Sequence, residues 1–105
     1  MEIEALPDDE LPDDSMRLVP ANGDTIGLYR CGGALYAIED RCSHDDGPLC
    51  EGEWDAAACE VVCPRHGARF DLRTGSALTL PAYLPVASYP VRVREDGMIV
   101  IELGD

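Results

Sequence analysis

The chain has 105 residues, 46% of them apolar, and a formal net charge of −13, with 21 acidic residues against eight basic ones. This length suits one modest hydrophobic core, and the apolar content excludes a chain that stays disordered. The acidity argues against nucleic acid and anionic membrane surfaces as partners and favours a partner with a basic face.

The first 20 residues contain four Asp and three Glu and lack the apolar core of a signal peptide. No later apolar run approaches the ~20 residues that cross a bilayer. We therefore expect no membrane association and a cytoplasmic protein, in which the five cysteines stay reduced. Residues 1–14 are acidic and contain proline, and we expect them to be partly loose at the edge of the fold.

Short polar or glycine pairs then separate β-prone runs, which predicts antiparallel hairpins. The three pairs are Asn22-Gly23 between MRLVP and TIGLYRC, Gly32-Gly33 between IGLYRC and ALYAIE, and Asp96-Gly97 between YPVRVR and MIVIEL. In YPVRVRED apolar and charged residues alternate, as on a strand with one wet face. No segment of helical length has a sustained 3.6-residue period, and EWDAAACEV is predicted to be a hairpin or loop. The expected fold class is all-β.

Two segments fit neither pattern. One is RCSHDDGPLCEG, from Arg41 to Gly52, and the other is TLPAYLPVASYP, which contains Pro81, Pro85 and Pro90. Three prolines exclude a central strand, because each lacks an amide donor. We expect the second segment to form a stiff, extended cover over another part of the molecule.

The only two histidines of the chain each follow a cysteine closely. Cys42 and His44 form C-x-H, eighteen residues intervene, and Cys63 and His66 form C-x-x-H. Two thiolates and two imidazoles suit tetrahedral zinc, which leaves a zinc-stabilised interaction domain as one alternative. Zinc fingers, however, usually pair Cys with Cys and His with His. Here each loop supplies one of each, which favours a binuclear iron–sulfur site with two sulfur and two nitrogen ligands.

The segments CSHDDGPLCEG and CPRHGARFDLRTGSAL resemble the two cluster-binding boxes of Rieske-type ferredoxins of bacterial ring-hydroxylating dioxygenase systems. The similarity extends to LYRCGGALYAIEDRC upstream and YPVRVREDGMIVIEL downstream, and so covers nearly the whole chain. It implies one [2Fe-2S] cluster per chain, with Cys42 and Cys63 on the inner iron and His44 and His66 on the outer iron. It also implies the Rieske fold, an antiparallel β-sandwich with a small cluster-binding subdomain.

The resemblance implies one Rieske domain over residues 1–105. Its cluster-binding loops would span about residues 41–52 and 63–71, and a proline-rich cover loop would span about residues 79–86. The residues expected to shield the cluster from water are Leu49, Pro81, Leu84 and Pro85. Plain packing explains these four residues equally well.

The implied ligand set also bears on the reduction potential. Two ferric ions, two sulfides, two thiolates and two neutral imidazoles sum to zero charge, so an electron is added more easily than to an all-Cys cluster. Rieske centres cover roughly −150 to +300 mV. High-potential members link their boxes by a disulfide at the positions matching Gly47 and Arg65. They also carry hydroxyl groups at the positions of Ala68 and Phe70, where this chain has none. We therefore expect a midpoint below zero, with Asp45 and Asp46 opposing an added electron. The Arg65 side chain is expected either to be solvated or to orient the partner.

The resemblance implies a one-electron carrier and not an enzyme, since both histidines are committed to the cluster. A flavin-dependent reductase would reduce it and a terminal oxygenase would take the electron, in transient contacts with basic docking faces, and the carrier would be a monomer. The alternative is a Rieske-type small subunit of an assimilatory nitrite reductase or another multisubunit oxidoreductase. Of the remaining cysteines, Cys31 and Cys59 are expected to be small buried hydrophobes. Cys50 stands in the first box, where a small polar residue is expected.

Overall fold

The computed structural model describes residues 1–103, so the last two residues of the domain expected over residues 1–105 lie outside the described part. Within that part the strands are β1 (Glu2–Pro7), β2 (Met16–Ala21), β3 (Asp24–Cys31), β4 (Ala34–Glu39), β5 (Trp54–Asp55), β6 (Glu60–Val62), β7 (Arg69–Asp71), β8 (Ser88–Tyr89), β9 (Val91–Val93) and β10 (Met98–Glu102). A turn of 3-10 helix covers Asp8–Glu10. The sheets have the orders β1-β10-β9, β2-β3-β4-β8 and β5-β6-β7, with antiparallel pairing throughout. The expected antiparallel all-β fold is confirmed, and no helix of residues 1–103 is long and apolar enough to cross a membrane.

The predicted hairpins are present. Asn22 and Gly23 have φ values of 50° and 85° and join β2 to β3, where Ala21 pairs with Asp24. Positive φ at both central residues gives the turn whose twist matches that of the strands. The Gly32-Gly33 pair joins β3 to β4 in the same way, and Asp96-Gly97 lies between β9 and β10.

The expectation for the N-terminal segment is wrong. Residues 2–7 form β1, which pairs with β10 from Glu2 opposite Glu102 to Pro7 opposite Met98. Leu6 is buried and Ile3 packs against the same core, while Glu2 and Glu4 face solvent. Because the charges alternate with apolar residues along the strand, they do not oppose burial of its other face.

The third strand, β3, contributes to two cores because successive side chains of a strand point to opposite faces. Ile26 and Leu28 pack with residues of β1, β2 and β10 in the core between the four-stranded sheet and the β1-β10-β9 sheet. Tyr29 and Cys31 pack in a second core with the CSH and CPRH segments and with β6 and β7. The four-stranded sheet is therefore a middle layer. The small subdomain expected from the sequence packs against one of its faces.

The structure also corrects the expectation that all five cysteines are reduced. Cys31, at the end of β3, and Cys59, in the β5–β6 turn, form a disulfide with their Cα atoms 5.8 Å apart. Both residues are buried, as expected, but they are joined rather than separate. The bond ties the middle sheet to the small subdomain. The distance between the two Cα atoms lies in the range in which a disulfide forms without movement of the backbone.

Candidate metal centre

The first box is a compact loop that follows β4. The amide of Cys42 donates to the carbonyl oxygen of Gly47 at 2.8 Å, and the amide of Asp46 donates back to the carbonyl oxygen of Cys42 at 2.8 Å. Asp40 closes the far end, since its Oδ1 accepts hydrogen bonds from the amides of Leu49 at 2.9 Å and Cys50 at 2.6 Å. These bonds fix the backbone on both sides of the loop, and Cys42 is fully buried.

The second box is the connection between β6 and β7. These strands pair up to Val62 opposite Arg69, so the box has a fixed base. Cys63 donates its amide to the carbonyl oxygen of Ala68 at 2.8 Å and accepts at its own carbonyl from the amide of Gly67 at 3.0 Å. Gly67 has a φ of 75°, a conformation that glycine adopts without strain. The turn places Cys63 and His66 on the side that faces the first box.

The two boxes bring together three of the four predicted ligands. One donor atom from each of Cys42, Asp45, Cys63 and His66 lies within 4.8 Å of the others. The Nε2 atom of His66 is 3.3 Å from the sulfur of Cys42 and 3.3 Å from the sulfur of Cys63. His44 is not in this group. Its exposed ring stands edge-on to the ring of His66, with 4.7 Å between the ring centroids.

Asp45 occupies the place near the sulfurs that the sequence assigns to a second imidazole. Both of its oxygens, however, accept hydrogen bonds from Arg65: Oδ2 from Nε at 2.6 Å and Oδ1 from Nη2 at 2.8 Å. These bonds hold the pKa of Asp45 well below its usual range. Arg65 is exposed, as expected of a solvated side chain, and it is also ion-paired with Asp45. The sequence signal for this pair was the opposite charge of the two residues, one in each box.

The donor set fits a metal cluster. Burial raises the pKa of the Cys42 thiol, and the neighbouring Cys63 thiol raises it further, so two adjacent thiolates need a positive charge here. The Nδ1 atom of His66 is buried and has no hydrogen-bond partner among the described residues. Two buried thiols beside a buried imidazole nitrogen that lacks a partner form a donor set that suits a thiophilic metal centre.

The covering residues behave differently from one another. Leu49 is fully buried in the core that contains Cys42 and Cys63, as expected of a residue that excludes water. In the proline-rich loop Ala82 and Val86 are buried, whereas Leu84 is 55% exposed and does not shield the site. Two neighbours of Leu84 are still more exposed, Leu80 at 79% and Tyr83 at 76%. The loop is thus anchored by its small side chains and presents its large ones to solvent.

The loop is also attached to the first box. The Ser43 hydroxyl donates to the carbonyl oxygen of Leu84 at 2.6 Å. The exposed side chains Leu80, Tyr83 and Leu84, hereafter the apolar tip, therefore belong to a loop that is hydrogen-bonded beside Cys42 and His44. Exposed apolar side chains that form a contiguous patch are a feature of protein interaction surfaces.

Three more buried residues surround the candidate metal centre: Ala68, Phe70 and Cys50. Ala68 and Phe70 are fully buried in the same core as the two cysteines, and neither carries a hydroxyl group. Cys50 is buried too, and burial raises its pKa to about 12. Its thiol therefore stays protonated near neutral pH and acts as a small packing group.

The known proteins similar to this chain include ferredoxins of dioxygenase systems. The family model for the Rieske [2Fe-2S] domain matches residues 2–90. The 3-phenylpropionate/cinnamic acid dioxygenase ferredoxin subunit of Photorhabdus laumondii is 44% identical over 97 residues, which cover 92% of this chain and 90% of the relative. The solved ferredoxin of carbazole 1,9a-dioxygenase from Nocardioides aromaticivorans IC177 has a TM-score of 0.88 and 33% identity, covering 97% of both chains. A chain in the complex of reduced oxygenase and oxidized ferredoxin in carbazole 1,9a-dioxygenase has a TM-score of 0.87 and 28% identity, covering 96% of this chain and 92% of that one.

Proposed function

Because this chain belongs to the Rieske [2Fe-2S] domain family, we propose that it passes single electrons from a flavin-dependent reductase to the terminal oxygenase of a ring-hydroxylating dioxygenase system. The family expected from the paired boxes is confirmed by the match over residues 2–90. The relatives are named as ferredoxin subunits, which are electron-transfer components and not the enzymes that act on the substrate. Donor, acceptor, monomeric state and cytoplasmic location are part of the proposal.

The observation that carries the proposal is the cluster of buried Cys42 and Cys63 thiols against the His66 imidazole. As ligands we propose Cys42 and Cys63 on one iron and His44 and His66 on the other. The Asp45 carboxylate lies close enough to compete, but its two oxygens are already bonded to Arg65. When bound, a [2Fe-2S] cluster takes up one electron and releases it again.

The protein contributes an enclosure with one open side. Leu49 and Phe70 are fully buried around the cysteines and keep water from the sulfur side. The His44 side chain is exposed, and that of His66 is 18% exposed. The imidazole side is therefore the one that a partner protein approaches.

For the oxygenase we propose docking on the apolar tip. This surface lies beside the first box through the Ser43–Leu84 hydrogen bond, so a partner that covers it also covers the imidazole side. Apolar contact there would exclude water from the space between the two proteins. One similar structure is itself a complex of an oxygenase with a ferredoxin, which supports an oxygenase as the occupant. The reductase would use the same side in turn, which requires both contacts to be transient.

The proposal is tested by following how fast the reduced protein transfers electrons to a terminal oxygenase of 3-phenylpropionate/cinnamic acid dioxygenase. The double substitution Leu80→Ser with Tyr83→Ser removes most of the exposed apolar area of the tip. We expect a severalfold higher KM for the carrier, with iron content and midpoint potential unchanged. The matched control is Leu18→Ser, which alters an exposed leucine of β2.

Two results would contradict the proposal. Failure of the wild-type protein to support the oxygenase, when the oxygenase's own ferredoxin does, would remove the proposed acceptor. An unchanged KM in the double variant would remove the apolar tip as the docking surface.

A further inference from the structure

Arg65 connects the two boxes through three hydrogen bonds. From its place in the second box, its Nε and Nη2 atoms donate to the two oxygens of Asp45, and its Nη1 atom donates to the carbonyl oxygen of Pro48 at 2.7 Å. All three acceptors belong to the first box. An arginine that uses both edges of its guanidinium in this way fixes the position of the two loops relative to each other.

The first box is shaped to receive this side chain. A Cβ atom at Gly47 would lie 2.6 Å from Cζ, 2.7 Å from Nη2 and 2.9 Å from Nε of Arg65, distances that exclude any larger residue unless the guanidinium moves. The Gly47 amide also donates to Oδ1 of Asp45 at 3.0 Å, which turns the carboxylate toward the arginine. The glycine, the aspartate and the Pro48 carbonyl thus form one receptor for the guanidinium.

This receptor adjoins the proposed ligands. Oδ2 of Asp45, which accepts from Nε of Arg65, is 3.6 Å from Nε2 of His66. A carboxylate in that position repels an added electron, and the guanidinium paired with it offsets this repulsion. The pair therefore acts on the site in two ways, through the spacing of the loops and through their charge.

We infer that Arg65 is a positioning residue that fastens the two boxes around the metal centre and neutralises Asp45 beside it. The inference rests on the proposed [2Fe-2S] site and adds a role for two residues that are not ligands. Arg65 makes no contact with the two sulfurs in the hydrogen-bond network described above. It acts through Asp45, Gly47 and Pro48.

The two effects predict opposite signs in two single variants. Arg65→Met removes the hydrogen bonds that join the two boxes and leaves the negative charge of Asp45 unpaired. Asp45→Asn weakens the same connection and leaves the positive charge of Arg65 unpaired. Both variants should lose iron to excess chelator faster than the wild type, by roughly two- to fivefold as expected for a partly exposed ion pair. The midpoint potential should fall in Arg65→Met and rise in Asp45→Asn.

Two further variants separate shape from charge. Arg65→Lys keeps the positive charge but lacks the planar fork, so it should lose iron faster while its midpoint stays near that of the wild type. The control is Arg69→Met, which removes another exposed arginine of the same hairpin. Its Nη1 atom lies 3.5 Å from Oε1 of Glu60, and its loss should change neither the rate of iron loss nor the midpoint potential.

The experiment measures bleaching of the visible absorption in chelator and the midpoint potential, both on protein loaded with the cluster. Wild-type bleaching rates in Arg65→Met and Asp45→Asn would overturn the fastening role. Midpoints that shift in the same direction in the two variants would overturn the charge role. If Arg65→Met does not load, wild-type bleaching rates in Asp45→Asn and Arg65→Lys would overturn the fastening role, and a midpoint that does not rise in Asp45→Asn would overturn the charge role. Absence of iron from the wild-type protein would instead refute the proposed site, so the two failures are distinguishable.

Discussion

At the scale of single residues, the sequence predicts four ligands, and the structure brings three of them together, namely Cys42, Cys63 and His66. Two histidines, each within three positions of a cysteine, are hard to explain by packing alone. The pairing of Asp45 with Arg65 was not foreseen, since each residue by itself is ordinary for a solvated loop. Only the fold shows that the Asp45 carboxylate accepts two hydrogen bonds from one edge of the Arg65 guanidinium across the boxes.

Substitution of Phe70 tests the explanation for the expected low reduction potential. Its ring is fully buried in the same core as Cys42 and Cys63, and it brings no hydroxyl group. Phe70→Tyr would add a donor for a hydrogen bond to sulfur worth roughly 1–2 kcal/mol, which corresponds to about 45–90 mV for one electron. We expect voltammetry to show a rise of that order. Phe70→Leu, as the control, should leave the midpoint within a small shift, and an unchanged midpoint in Phe70→Tyr would show that the hydroxyl reaches no sulfur.

At the scale of elements, the hairpins were predictable because their turns have a local sequence signature, as at Asn22-Gly23. The first strand was missed because acidic residues and Pro7 suggested a loose end, whereas pairing with β10 depends on a segment about 95 residues away. The proline-rich loop was expected to shield the site with Pro81, Leu84 and Pro85. The fold instead buries Ala82 and Val86 and leaves Leu84 outside, a choice made by the surrounding packing.

The disulfide between Cys31 and Cys59 is the element-scale feature with a measurable energetic consequence. It joins β3 to the β5–β6 turn across a sequence separation of 28 residues. Closing a loop of that size stabilises a protein by about 2–4 kcal/mol. We expect Cys31→Ala with Cys59→Ala to lower the free energy of unfolding by that amount in urea titrations of the apoprotein.

The control for the disulfide is Cys50→Ala, which removes a buried thiol outside the bond. A dithiol reductant should destabilise the wild type and Cys50→Ala but not the double variant. If the reductant leaves the wild type unchanged, and its mass shows two free thiols at these positions, the bond does not form in solution.

At the scale of the whole molecule, the net charge of −13 is the dominant property. This charge is the reason for expecting a partner with a basic face. It carries no information about the fold or about which residues bind the cluster. Ion pairs such as Arg92 with Glu2 and Arg94 with Glu4 occupy part of the small set of basic groups, so the surface stays strongly acidic. Long-range attraction to a basic partner would raise the rate of encounter more than the strength of the final contact.

Ionic strength tests that attraction directly. Salt screens charges over about 10 Å at 0.1 M and about 3 Å at 1 M. We expect the second-order rate constant for electron transfer to the oxygenase to fall by at least tenfold over that range, measured by stopped-flow absorbance. The apolar tip variant should show the same salt slope from a lower starting rate. A rate that does not depend on salt would exclude steering by the acidic surface.

The central claim is that Cys42, Cys63, His44 and His66 hold a [2Fe-2S] cluster between the two boxes. The most direct measurement combines iron and acid-labile sulfide analysis of the freshly purified protein with a nitrogen-sensitive magnetic resonance spectrum of its reduced form. The claim predicts two iron and two sulfide per chain, and two imidazole nitrogens coupled to the unpaired electron, with one coupling lost in His44→Ala. A lone zinc ion, or a cluster with no nitrogen coupling, would contradict it.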